Sequence, residues 1–185
     1  VAITKNGPVV LVCPNINYIF PSNYGYLAGY LAENNEDVKI LLRPDDELEY
    51  KNLIREIINF KPLIVGFGSI YTDLYPTKEL IKLLNENGRD FPIVIGGQMV
   101  SPTPEFAVEV TGADIGVIGE GEIILYNLVK ALRENSDLKN VKGLVINNRE
   151  EKIFPIIERR EWQMLQYPYE KPAGHGPAQL DTAGD

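Results

Sequence analysis

Short apolar runs rich in β-branched residues alternate along this chain with longer segments in which apolar residues recur at helical spacing. That alternation dictates βαβ units and a mainly parallel sheet. The first run, VVLVCPN from Val9 to Asn15, is continuous, the pattern of a strand covered on both faces. SNYGYLAGYLAENN follows, with Leu27, Ala28 and Leu31 on one helical face, Ser22 or Asn23 able to cap its start, and an end near Asn34 and Asn35. DVKILL, Asp37 to Leu42, alternates enough for a strand nearer the sheet edge, and Glu47 to Phe60 repeats Leu53, Ile54, Ile57 and Ile58 at helical spacing. LIVGFGS, Leu63 to Ser69, predicts the third strand, and a helix over Pro76 to Asn87 runs up to Gly88, a left-handed stop. PIVIGG, Pro92 to Gly97, and ADIGVIG, Ala113 to Gly119, predict the fourth and fifth strands, separated by a short helix over Pro104 to Val110. Glu122 to Glu134 is amphipathic through Leu125, Leu128, Val129 and Leu132.

Right-handed crossovers between these parallel strands give the order 2-1-3-4-5, a flavodoxin-like, doubly wound α/β sheet. GLVINNREEKIF, Gly143 to Phe154, reads as a small C-terminal β-hairpin turning at Asn147 and Asn148 and attached to the main sheet. The chain thus divides into a ligand-binding domain over residues 1–146, a hairpin end and connector over 147–172, and a Gly/Pro-rich flexible or appended tail over 173–185.

The formal net charge of −8 disfavours a nucleic-acid backbone or an anionic membrane, and the nearest basic pair, Arg159 and Arg160, is flanked by Glu158 and Glu161. No apolar run approaches the roughly 20 residues that span a bilayer. With a single cysteine, Cys13, and no secretory leader pattern, the expectation is a reducing, cytoplasmic setting without nucleic-acid or membrane partners. One cysteine and one histidine, His175 in the tail, cannot build a Cys/His zinc site. Neither a G-x-x-x-x-G-K phosphate loop nor G-x-G-x-x-G follows the first strand, so the usual cradles for nucleoside triphosphates and dinucleotides are missing.

Ligands of doubly wound sheets bind beyond the carboxyl ends of the strands, at the switch point between the first and the third. The loops that meet there span residues 14–24, 69–73, 96–103 and 119–122. Gly96 and Gly97 let the backbone approach a flat or bulky ligand closely, or simply turn the chain ahead of Pro102 and Pro104. In GSIYTD, Ser69, Tyr71 and Thr72 offer hydrogen bonds to a ligand, while Thr72 or Asp73 can equally cap the next helix. In GEGE, Glu120 and Glu122 satisfy a helix N-terminus; an acid–base pair is the sharper reading, without an identifiable basic partner.

Taken in order, a strand ending in a Pro-Asn loop, Y-L-A-G-Y-L-A-E-N with D-V-K-I after it, I-V-G-F-G-S, I-V-I-G-G with P-T-P-E, and A-D-I-G-V-I-G-E-G-E resemble the N-terminal cobalamin (B12)-binding domain of B12-dependent radical SAM enzymes. The resemblance covers nearly all of residues 9–146 and rests on the combination and order of the segments. It implies cobalamin as the cofactor, with the nucleotide tail entering between strands near Ser69, Gly96 and Gly97. Tyr71, Gln98, Ser101, Glu120 and Gly121 would then lie near the corrin or its amide arms. The loop containing Asn15 would shape the face beneath the corrin; it has no D-x-H-x-x-G motif, which implies binding without a histidine lower ligand. ERREWQMLQYPYEKP, Glu158 to Pro172, is similar to the connector that leads into the radical SAM barrel of this family, yet no C-x-x-x-C-x-x-C follows. The 4Fe-4S cluster and S-adenosylmethionine would belong to a barrel of the same parent chain, a methyltransferase, and these residues to an excised or truncated domain that does not turn over alone. A flavodoxin-like regulatory or interaction domain that has lost cobalamin is the alternative; a small enzyme using Glu120 or Glu122 ranks below both.

Overall fold

The computed structural model describes residues 6–14, 22–68 and 71–147, all within the unit Val1–Pro155. Strands β1 (Val9–Pro14), β2 (Val38–Arg43), β3 (Ile64–Gly68), β4 (Ile93–Gly96), β5 (Ile115–Val117) and β6 (Leu144–Ile146) form one sheet in the order β2-β1-β3-β4-β5-β6. β1 to β5 are parallel, and β6 runs antiparallel beside β5. The flavodoxin-like order expected from the sequence is therefore present and is extended by β6, the first half of the expected hairpin. The second half of that hairpin, the connector and the tail lie outside the described residues.

The burial of each strand follows its place. β1, an inner strand with a neighbour on each side, is buried at every position, whereas β2 at the edge is mostly half-buried, which is why one reads as a continuous apolar run and the other partly alternates. Helices α1 (Ser22–Glu33) and α5 (Gly121–Glu134) pack together over one face. They bury Leu31, Leu125, Leu128 and Val129 against Val9, Leu11, Ile64, Val94 and Val117. Helices α2 (Tyr50–Asn59), α3 (Leu74–Glu86) and α4 (Pro104–Thr111) lie side by side over the other face. No helix among the described residues is long and apolar enough to cross a membrane.

Two expected caps resolve differently. α1 already starts at Ser22, so Ser22 and Asn23 sit inside its first turn and its capping residue lies outside the described residues. Asp73 does occupy the cap position of α3, but its side chain makes no capping bond; the carboxylate instead accepts from Arg43 at the end of β2, 3.1 Å away. An ion pair with both partners largely withdrawn from water outcompetes one more N–H donor at a helix end.

The amino edge of the sheet is tied by polar side chains. Asp114 accepts from the Ile93 N–H at 2.8 Å and pairs with Arg89 at 2.7 Å. Asn147 donates through Nδ2 to the carbonyls of Val108 (3.2 Å) and Ala113 (2.9 Å), holding the end of β6 against α4 and β5. On the same face Gly116 is enclosed: a Cβ there would meet Val145 Cγ1 at 2.5 Å and Val108 Cγ1 at 3.0 Å. Gly116→Ala should therefore lower the unfolding free energy by about 1–3 kcal/mol through overpacking, as read from the denaturation midpoint.

Candidate functional site

On the face covered by α1 and α5, strand alternation and register set two rows of residues side by side. The inner row holds Leu11, Gly66 and Val94, paired across β1, β3 and β4. The outer row, nearer the carboxyl edge, holds the paired Gly68 and Gly96. Glycine at alternate positions of β3 thins the sheet surface there; Tyr24 of α1 reaches into the space beside Gly68, and the helices leave the rest open. A groove of about 450 Å³ results, bounded by Asn23, Tyr24 and Leu27 of α1, by Gly121, Glu122 and Leu125 of α5, and by the sheet rows with Val117 of β5. That volume lies within the range of small-molecule sites. Its mouth is formed by Gly97 and Gln98 after β4 and by Gly119 and Glu120 after β5. Gly97 (φ 99°) and Gly119 (φ 88°) have left-handed backbone, so both loops turn sharply just past the strand ends.

Tyr24 anchors the site. It is the third residue of α1 and only 2% exposed. Its hydroxyl donates to the Val12 carbonyl at 3.0 Å and accepts from the Gly68 N–H at 2.7 Å. Val12 and Phe67 are the last paired residues of β1 and β3, so the phenol bridges the two strands one step further, at the switch point. A Cβ on residue 68 would lie 2.7 Å from that oxygen, which is why glycine stands there. Burial pushes the Tyr24 phenol far above its ordinary value; the Gly68 N–H and Arg43 oppose this, and Cys13 and Asp73 add to it. Burial likewise raises the Cys13 thiol, with Arg43 opposing and Asp73 reinforcing.

Of the residues singled out from sequence, Gly96, Gly97, Gln98, Glu120 and Gly121 line the groove. Ser101 does not; its Oγ accepts from the Gly119 N–H at 3.0 Å and so ties the loop after β4 to the loop after β5. Tyr71 (60% exposed) and Thr72 stand in a short turn before α3, outside the groove lining. Asn15 and Ser69 lie outside the described residues. Glu122 sits in the first turn of α5 and Glu120 at its cap position without a capping bond. Sequence reasoning did not count Tyr24, Leu27, Gly66, Gly68 or Leu125 among the site residues, and read Leu27 and Leu125 as helix faces instead. Among the described residues no group of His, Cys, Asp and Glu side chains is arranged to hold a metal ion.

The family model for the B12 binding domain matches residues 17–129. The uncharacterized methyltransferase PH0819 of Pyrococcus horikoshii is 32% identical over 125 residues, covering 67% of this chain and 27% of the relative. The radical S-adenosylmethionine methyltransferase TsrM from Kitasatospora setae, solved with cobalamin and a 4Fe-4S cluster bound, superposes with a TM-score of 0.67 and 28% identity over 77% of this chain and 28% of that one. The cobalamin-dependent S-adenosylmethionine radical enzyme OxsB, solved with aqua-cobalamin and S-adenosylmethionine, shares the fold with a TM-score of 0.64 at 22% identity, over 78% of this chain and 21% of that one. The chain thus spans little more than a quarter of the length of the curated relative it matches.

The bridge at Tyr24 is testable without any ligand. Tyr24→Phe should cost about 1–2 kcal/mol at neutral pH, the loss of one buried, doubly engaged hydroxyl. The native state retains a proton that the unfolded chain releases above the ordinary tyrosine value of 10.0. The stabilisation is therefore complete below that pH and is lost as pH rises beyond it. Denaturant titrations should show the wild-type advantage over Tyr24→Phe shrinking above pH 10, not below it.

Proposed function

The chain belongs to the B12-binding domain family, and from that premise we propose that it holds cobalamin at the carboxyl edge of its sheet on behalf of a larger radical SAM methyltransferase. The observation that carries this reading is the groove between α1 and α5. Its floor is the inner row of Leu11, Gly66 and Val94 with Gly96 of the outer row, and Leu27, Val117 and Leu125 stand beside it, so a flat ring meets aliphatic surface there and open backbone at Gly96. Gly96 supports it further: a Cβ there would rest at an ordinary 3.7 Å from Val117 Cβ, so packing within the protein does not require glycine at this position.

The nucleotide tail would enter near Ser69, Gly96 and Gly97, with Asn15 shaping the face beneath the corrin. Tyr71, Thr72, Gln98, Ser101, Glu120 and Gly121 would surround the corrin and its amide arms. The carboxylate of Glu120 suits the N–H donors that carboxamide arms bring, and Ser101 would share its oxygen with Gly119. The only histidine of the chain is His175, so no residue of the loop after β1 offers an imidazole to the metal. Bound cobalamin supplies a cobalt that can carry and release a methyl group; the residues named here bind and orient it. The 4Fe-4S cluster and S-adenosylmethionine belong, in this reading, to a barrel elsewhere in the parent protein. The TsrM and PH0819 matches support a methyltransferase parent.

Protein mixed with hydroxo- or methylcobalamin and desalted should stay coloured with a base-off spectrum. Colourless protein at cofactor concentrations well above micromolar would overturn the reading in favour of a regulatory domain that keeps only the fold. Gly96→Ala should weaken retention by about tenfold or more while leaving stability within about 1 kcal/mol of wild type. Equal retention by the two proteins would place the ligand elsewhere. Gly97 is a poorer probe, because its left-handed backbone strains any side chain whether or not a ligand is near.

A further inference from the structure

The groove distinguishes among cobamides by what it lacks at its inner end, an inference that rests on reading it as the cobalamin site. Leu11, Gly66 and Val94 form the inner row, with Leu27 and Leu125 among the helix residues that face the sheet. None of these side chains carries a polar atom. The ionisable and amide side chains that line the groove, Asn23, Asp73, Gln98, Glu120 and Glu122, all follow strand ends or open helices, and so stand toward its mouth. Asp73 is engaged by Arg43 at 3.1 Å. The Tyr24 hydroxyl stands at the outer row, with its proton committed to the Val12 carbonyl and its oxygen already accepting from Gly68.

We infer that this groove selects the terminal base of the cobamide, taking a benzimidazole in preference to a purine. The two bases are flat bicycles of nearly the same size, so shape separates them little. Chemistry separates them clearly. The six-membered ring of dimethylbenzimidazole presents only C–H bonds and methyl groups, whereas that of adenine presents an exocyclic amine and ring nitrogens. Those groups leave water for the base to reach the inner row and meet only aliphatic carbon there. Buried polar groups without partners weaken binding, on the order of 10- to 100-fold here.

The experiment titrates the 185-residue chain with cobalamin, with the adeninyl cobamide, and with cobinamide, which has no base, following the corrin spectrum. Cobalamin should bind about tenfold or more tightly than the adeninyl form, and the adeninyl form no more tightly than cobinamide. Equal affinity for the two cobamides overturns the inference and leaves the cobalamin reading intact. Failure of all three to bind overturns the cobalamin reading and the inference with it. Val94→Thr, nearly isosteric and placed in the inner row, should narrow the ratio between the two cobamides by offering a hydroxyl. An unchanged ratio in that variant overturns the assignment of the base to the inner row.

Discussion

A parallel sheet of continuous apolar strands has to be covered on both faces, and a single chain can do this only by sending successive crossovers to opposite sides. The point where the direction of winding changes is left without a roof. Here that point lies between β1 and β3: α1 turns over one face and α3 over the other. The protein secures the opening with little material. One phenol reaches from α1 into the end of the β1–β3 ladder, and a glycine on β3 makes room for it. The end of the β1–β3 ladder and the start of α1 are thus joined through the same hydroxyl.

The site that results is built mainly by subtraction. Glycines thin one stripe of the sheet, and left-handed turns at Gly97 and Gly119 redirect the two loops just past the strand ends. What remains inside is aliphatic, and the charge is confined to the mouth. Among the described lining residues, no basic side chain stands against the two mouth glutamates, and the inner surface is one on which a flat apolar group can rest.

The architecture was legible because burial on two faces writes itself into sequence as unbroken apolar runs, and VVLVC, LIVGF and PIVI are such runs. The loops at the carboxyl edge followed from the fold rule, and of the residues it pointed to, Gly96, Gly97, Gln98, Glu120 and Gly121 line the groove. Gly66 and Gly68 were equally visible as a period of two in I-V-G-F-G, a spacing that sets both on one face. Tyr24 was not legible: an aromatic residue early in an amphipathic helix reads as core, and its polar role exists only once Val12 and Gly68 are brought to it. Asp73 misled for a related reason, because a local cap is visible in sequence and Arg43, 30 residues away, is not.

β6 runs against its neighbours, and this fixes where the described chain departs. It enters the sheet beside Val117, near the groove, and leaves beside Ile115, at the opposite edge, where Asn147 is pinned to Val108 and Ala113. The last described residue therefore faces away from the ligand edge. A segment after Asn147 that is to touch anything in the groove must first climb the height of the sheet, roughly 15–20 Å or about six residues of extended chain. The antiparallel strand thus acts as a spacer as well as an edge, carrying the chain from the groove end of the sheet to the other end.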